Sequence, residues 1–245
     1  MPASKPPVPS VWIRQRVQRE RPALSLDRIV SEAVRLLDEE GLEALSMRSL
    51  GTRLDAGATS LYRHVANKDE LIELVVDEVY GELRVPSAEE AAGWRDGLAT
   101  SARSLRAVIL RHPWLASVLG QAGLTNLGPN VMRRSEDLLA LVHGAGFAPG
   151  EADQAVNTLL AYVIGMTVSE AAYLSMLARN GQTEQEWLDT VRSTAEQAME
   201  EHPRMRAEYA VKGYGDPRRA REEDFTYGLD RVLDGLEARA ASSAA

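Results

Sequence analysis

An all-α fold, with an N-terminal three-helix helix-turn-helix unit followed by a larger helical part, is what this sequence predicts, on three observations. Apolar residues recur with a helical period, no strand-like alternation of any length occurs, and the breaks between periodic segments fall at Pro and Gly. With 245 residues, 44% of them hydrophobic, the chain can bury one substantial core or a small module attached to a larger one. The absence of cysteine excludes disulfides, thiolate metal sites and cysteine nucleophiles. The four histidines (His64, His112, His143, His202) are too widely spaced to form a metal-binding pair, so neither metal nor cofactor is expected.

Residues 1–22 read as an arm. Pro2, Pro6, Pro7 and Pro9 oppose a helix, and RQRVQRERP is charged without a core-forming period. Ser25 then caps a helix to about Glu40, with Leu26, Ile29, Val30, Ala33 and Leu37 on one stripe and Gly41 as the stop. Ser46 caps the next helix, Met47 to Leu54, and Asp55-Ala56-Gly57 forms a turn. A third helix, about Ala58 to His64, is too short to stand unless it packs on its neighbours. Asn67 caps a fourth, KDELIELVVDEVYGEL, with Leu71, Leu74, Val75 and Val79 on one stripe and Ile72 and Val76 off it. Apolar groups on two faces suit a helix wedged between two bodies.

Arg84 to Glu90, with Pro86, reads as a boundary, which divides the chain into 1–22, 23–84 and 85–245. Further helices are expected at roughly 91–111, 113–119, 129–145, 150–179, 184–199 and 221–240, with Pro203 among the breaks. The most apolar segment, 155–178, carries Asn157, Thr158, Thr167, Ser169 and Glu170, and its longest clean run is LLAYVIGMTV. That run is about half the ~20 residues a bilayer span needs. The segment reads as a helix buried in protein. The start, MPASKPPVPSVWIRQR, lacks the apolar stretch of a secretory signal, and a cytoplasmic protein is expected.

Net charge is −8 but uneven: residues 1–68 hold 11 Lys/Arg against 8 Asp/Glu (+3), and the remainder 17 against 28 (−11). A basic end on an acidic body points to a polyanionic partner at that end. Two short helices joined by a Gly-containing turn and preceded by a third form the helix-turn-helix pattern, whose second helix lies in the DNA major groove. Leu61 and Val65 dock that helix, while Ala58, Thr59, Ser60, Arg63 and His64 are left for its outer face. Tyr62, an apolar ring with a polar tip, is counted with them, although packing is the commoner role of such a residue. Arg63 suits guanine O6/N7 or a phosphate, and Thr59 and Ser60 suit phosphate or base contacts. Arg48 and Lys68 flank the set, and Arg14, Arg16, Arg19 and Arg21 of the arm could follow phosphates or enter the minor groove.

The stretch LSMRSLGTRLDAGATSLYRHVANKDELIELVVDEV resembles the DNA-binding end of the tetracycline-repressor (TetR) family, most specifically from Leu61 to Leu71. The resemblance implies a homodimer that holds a palindromic operator and releases it when a small ligand binds. It places DNA contacts on Arg48, Ala58, Ser60, Arg63, His64 and Lys68. Ala58 offers no hydrogen bond, so readout there is limited to a thymine methyl. Asp55 stands where the family usually has Gly, and Asp tolerates the left-handed conformation better than most residues.

Beyond residue 91, ILRHPWLASVLG, GPNVMRRSEDLLALVHGAGFAPGEA and FTYGLDRVLDGLEA resemble, more weakly, the ligand and dimer domain of the tetracycline-repressor subclass. The helices at 150–179 and 221–240 would then form the dimer interface. Phe225, Leu229, Val232 and Leu236 make a packing stripe that an intramolecular core would explain equally. Trp114, Leu119, Asn157, Tyr162, Met166, Glu170, Tyr173 and Trp187 are the ligand-site candidates, as flat apolar surfaces with a few polar anchors. Glu170 in particular needs a partner, which could be an arginine, a dimer contact or a ligand group. ASVLGQAG lacks the histidine through which tetracycline repressors hold magnesium, so that metal and drug are not carried over, and His112 reads as a structural hinge residue. The rival readings are a helical enzyme, which lacks any nucleophile–base pair or phosphate loop, and a drug-binding or adaptor protein with a vestigial DNA head. A vestigial head should not retain a polar outer face.

Overall fold

The computed structural model describes residues 24–87, 89–119, 128–212 and 216–243. The arm expected over 1–22, with Arg14, Arg16, Arg19 and Arg21, lies outside the described residues. Among the described residues the chain forms eleven α-helices and one short 3-10 turn.

Helix α1 (Leu26–Glu40) begins where the Ser25 side chain accepts a hydrogen bond from the Arg28 N–H, and stops at Gly41, whose φ is 82°. It buries Ile29, Val30, Ala33, Leu36 and Leu37, whereas Leu26 faces solvent. Helix α2 (Met47–Arg53) opens on a capping box in which Ser46 and Ser49 satisfy each other's backbone N–H. The turn that follows takes Asp55 to a φ of 50°, the left-handed conformation foreseen for it. Helix α3 (Ala58–Leu61) is one turn, shorter than the segment 58–64 that the sequence predicts. Gly57 gives it no side-chain cap, and its far end closes as a turn in which the His64 and Val65 N–H groups both donate to the Leu61 carbonyl. Packing holds it: Leu61 and Val65 are buried, and a Cβ on Gly51 would lie 2.8 Å from the Ala56 carbonyl oxygen. Only glycine lets α2 approach the turn and α3 this closely.

Helix α4 (Lys68–Tyr80) is capped by Asn67, which accepts from the Glu70 N–H at 2.8 Å. It buries Leu71, Val75, Val76 and Val79. Val76, expected off the stripe, is buried because α4 packs on α1 and also on α7 (Pro129–Gly144). The fourth helix is therefore wedged between the two parts of the molecule.

The larger part is built from α5 (Trp94–Arg111), α6 (Trp114–Leu119), α7, α8 (Glu151–Asn180), α9 (Glu184–Ala198), α10 (Pro203–Lys212) and α11 (Pro217–Ser243). Helices α5, α7 and α8 pack on one another, and α11 lies across α8 and α5. Two corrections to the sequence reading arise here. The break expected around Pro203 is present, but Pro203 also opens a helix the sequence reading lacks, α10, since proline at a first helical position gives up an N–H that has no partner there anyway. And the most apolar helix, α8, is not enclosed by its own chain: Ala161, Gly165, Met166 and Ala172 lie exposed along it.

Candidate nucleic-acid interface and small-molecule cavity

The outer face of the helix-turn-helix is assembled by the turn that Gly51 permits. Leu50, Leu54, Leu61 and Val65 point into the core. Thr59, Tyr62, Arg63 and His64 are exposed around α3, with Ala58 and Ser60 partly so, Arg48 exposed on α2 and Lys68 half-buried at the start of α4. Tyr62 is 54% exposed, so its ring belongs to this face and not to the core. The structure thus brings together eight of the sequence-predicted contact residues.

Charge distinguishes this face. Arg53, at the end of α2, is held by Glu32, Glu39 and Glu40 at 2.8, 2.5 and 2.9 Å. Arg48, Arg63 and Lys68 have no carboxylate within ion-pair distance among the described residues. Arg53 is thus neutralised as a structural tie, whereas Arg48, Arg63 and Lys68 stand, among the described residues, beside exposed hydroxyls and an imidazole. Arg63 and Lys68 are near one another in sequence because the turn between α3 and α4 is short. The Glu70 carboxylate is directed back to the Ala66 N–H at 2.5 Å.

A polar joint connects this unit to the larger part. His112 is buried, with Nδ1 2.7 Å from Asp38 on α1 and Nε2 3.2 Å from Glu82 just past α4. The Trp114 indole N–H donates to the same Asp38 oxygen at 2.8 Å. His112 is the structural residue the sequence foresaw. Trp114, foreseen at a ligand site, is committed to the joint.

The other ligand candidates are scattered. The Tyr162 hydroxyl donates to the Phe225 carbonyl at 2.7 Å, and Tyr173 stacks edge-on with Trp187 at 5.4 Å between ring centres. Asn157 and Met166 are exposed on α8, and Leu119 is half-buried at the end of α6. Glu170 finds arginines: Arg106 donates to both of its oxygens at 2.8 and 2.9 Å, and Arg221 to one at 3.0 Å. Burial would raise the Glu170 carboxyl, but the two guanidiniums outweigh it and hold the group below its ordinary range. Arg106 also bonds Glu222 and lies 4.6 Å over the Phe225 ring, tying α5, α8 and α11 together. Phe225 and Leu229 are buried within the chain, whereas Val232 and Leu236 are only partly covered.

Two cavities flank α5. One, about 750 Å³, is an open charged cleft between α5, α8 and the start of α11, lined by Arg103, Arg106, Glu170, Arg218 and Arg221 among others. The second is an apolar chamber of about 40 Å³, lined by Tyr80, Leu83, Val85, Leu105, Leu138 and Leu159 together with α7 and α8 neighbours. It has room for only a few waters, so any larger occupant must push its walls apart. Those walls include the end of α4, which continues into the DNA-facing unit. Burial also pushes the pKa of the Tyr80 hydroxyl up, keeping that edge neutral. Tyr80, Leu83, Val85, Leu105 and Leu138 were not singled out from sequence, because ordinary core side chains carry no signal that distinguishes a chamber from a core.

Comparison with known proteins gives two family matches. Residues 29–75 match the family of bacterial regulatory proteins, tetR family, and residues 85–240 match the tetracyclin repressor-like C-terminal domain. An HTH-type transcriptional regulator of Saccharopolyspora erythraea is 42% identical over 165 residues, 67% of this chain and 69% of the relative. The HTH-type transcriptional repressor DrrR1 of Streptomyces coeruleorubidus is 35% identical over 219 residues, 89% of this chain and 78% of the relative. The Streptomyces coelicolor TetR family protein ActR, in complex with actinorhodin, superposes with a TM-score of 0.71 at 32% identity, covering 89% of this chain and 98% of that one.

Proposed function

Because the chain belongs to the TetR family of transcriptional regulators and is not an enzyme, we propose that it is a repressor. It binds a palindromic operator as a homodimer, and a small hydrophobic or aromatic molecule releases it. The observation that carries this reading is the unneutralised set Arg48, Arg63 and Lys68, with Thr59, Ser60, Tyr62 and His64 exposed beside it. In an acidic chain of net charge −8, cations left without carboxylates on one short face are best matched by phosphates and guanine edges. An adaptor with a vestigial head would have no reason to keep them unpaired. DrrR1 is a repressor by name, which supports the sign of the output.

The homodimer rests on α8. Its exposed residues Asn157, Thr158, Ala161, Gly165, Met166, Ser169 and Ala172 form a mostly small and apolar face beside the open side of α11, where Val232 and Leu236 are partly covered. A second copy would bury both, and would set two reading heads in symmetric register. The effector enters the apolar chamber, whose walls suit the hydrophobic class; that ActR, a structural relative, is seen in complex with actinorhodin supports a small-molecule effector. Residues 23–84 then serve as the DNA unit and 85–245 as the ligand and dimer unit. Arg14, Arg16, Arg19 and Arg21 extend the DNA contact along the backbone.

A footprint of the purified protein on the DNA flanking its own gene tests the proposal. Two protected half-sites related by a palindrome, centred about one helical turn or a multiple of it apart, are expected. Protection of no specific sequence would overturn it.

A further inference from the structure

Helix α7 has no cap of its own. Gly128 stands at its N-cap position and has no side chain, and Pro129, the first helical residue, has no N–H to satisfy. The first donors of the helix are therefore the N–H groups of Asn130 and Val131. Both donate to one carboxylate oxygen, Asp77 Oδ1, at 2.9 and 3.0 Å. Asp77 lies on α4, fifty-three positions away from Asn130 in the chain. The Asn130 side-chain amide returns the contact, with 3.1 Å distances to the Asp77 carbonyl and to Oδ2. One turn on, Arg134 Nη2 donates to the Gly81 carbonyl at 3.3 Å, just past the end of α4. The clasp is also shaped sterically: a Cβ on Gly128 would sit 2.2 Å from Asp77 Oδ1.

We propose that Asp77 is a positioning residue for operator reading: as the borrowed cap of α7, it fixes the pitch of α4 and so the spacing of the two DNA-reading heads. The inference rests on the proposed function. A carboxylate at a helix N-terminus is favoured by the free N–H groups and by the helix dipole together. The same helix supplies Arg134, Ser135 and Leu138 to the wall of the apolar chamber, and α4 supplies Tyr80. An occupant that displaced α7 would therefore pull on the last turn of α4 through directed hydrogen bonds and not only through apolar contact. Hydrophobic contact alone would let α4 slide against α7, because it has no direction. The clasp makes the two move as one.

The test uses the full-length protein, the operator found by footprinting, and copies of that operator with one base pair added or removed between half-sites. Wild type is expected to bind the altered spacings at least about tenfold more weakly than the native one, within the usual range of coupling between sites. Asp77→Ala and Gly128→Ala should bind the native operator less tightly and bring the three spacings to within roughly threefold of one another. Asp77→Asn, which keeps one acceptor oxygen, should fall between. Thr183→Ala, which removes the cap of α9, controls for stability alone and should keep the wild-type preference. If the Asp77 and Gly128 variants lose melting temperature but keep the wild-type spacing ratio, the residue is only a structural tie and the inference falls. A wild-type protein that binds no operator would instead sink the functional reading on which it stands.

Discussion

The DNA-facing unit and the larger part of this chain leave opposite surfaces unsatisfied. In the first, apolar side chains are consumed: Ile29, Leu36, Leu37, Leu50, Leu61, Leu71 and Val75 are all buried, and the outer face of the helix-turn-helix presents the cations Arg48, Arg63 and Lys68. In the second, charges at the helix junctions are tied within the chain: Glu170 is shared by Arg106 and Arg221, and Arg95 bonds Asp234 and Glu237, while the mostly apolar face of α8 stays open. A surface left unsatisfied at this cost indicates the chemistry of its partner. One end asks for a polyanion, and the other for an apolar face, most simply its own. Arg53 sharpens the point within the head itself, since three glutamates neutralise it where it faces α1, and none among the described residues does so for Arg63.

The comparison breaks first at the head. Arg63→Ala combined with His64→Ala should weaken operator binding by roughly 100-fold or more, since each lost base-edge or phosphate contact is repeated in the symmetry mate. Both side chains are exposed, so melting temperature and oligomeric state should not change. Retained operator affinity in a fluorescence-anisotropy titration would mean that the unpaired cations are only a solvated surface.

The body's consumed charge predicts a smaller effect, with a definite sign. The Glu170 carboxyl titrates below its ordinary value of 4.5. Its contribution to stability is therefore fully present above that value and is lost as the pH falls through the depressed one. Thermal melts from pH 7 down to pH 3 should show wild type losing more stability than Glu170→Gln on acidification. Parallel losses in the two proteins would show that the Arg106–Glu170–Arg221 group contributes no pH-dependent stability.

Much of the framework could be read from local chemistry. Ser25, Ser46 and Asn67 announced helix starts because a side-chain oxygen near free N–H groups has few other uses, and Gly41 announced a stop. The outer face of the helix-turn-helix was equally legible, since its polar residues interrupt an apolar period. What failed did so for physical reasons. Pro203 can end one helix or open another, and its sequence neighbours do not decide between them. Trp114 and Tyr162 stood out as polar-tipped aromatics suited to a ligand, but each tip is satisfied within the chain, by Asp38 and by the Phe225 carbonyl. The chamber walls, Leu83, Val85, Leu105 and Leu138 among them, went unnoticed because a cavity depends on where side chains stop, which no single residue encodes. Hydropathy identified α8 as apolar but could not say whether its cover would come from the same chain.

The central claim is that the two unsatisfied surfaces act together, the apolar face pairing the chains so that two cationic reading faces meet one operator. Its most direct test is the mass of the protein–DNA complex by sedimentation equilibrium on a duplex carrying one palindrome, with Gly165→Arg beside wild type. A Cβ on Gly165 meets nothing within 4 Å in the protomer, so the arginine can disturb only what another chain brings. The account predicts wild-type protomers bound in pairs, and a Gly165→Arg protein that is folded, monomeric and unable to bind the full site tightly. Single wild-type protomers bound at full affinity, or a Gly165→Arg protein that still pairs on the operator, would contradict it.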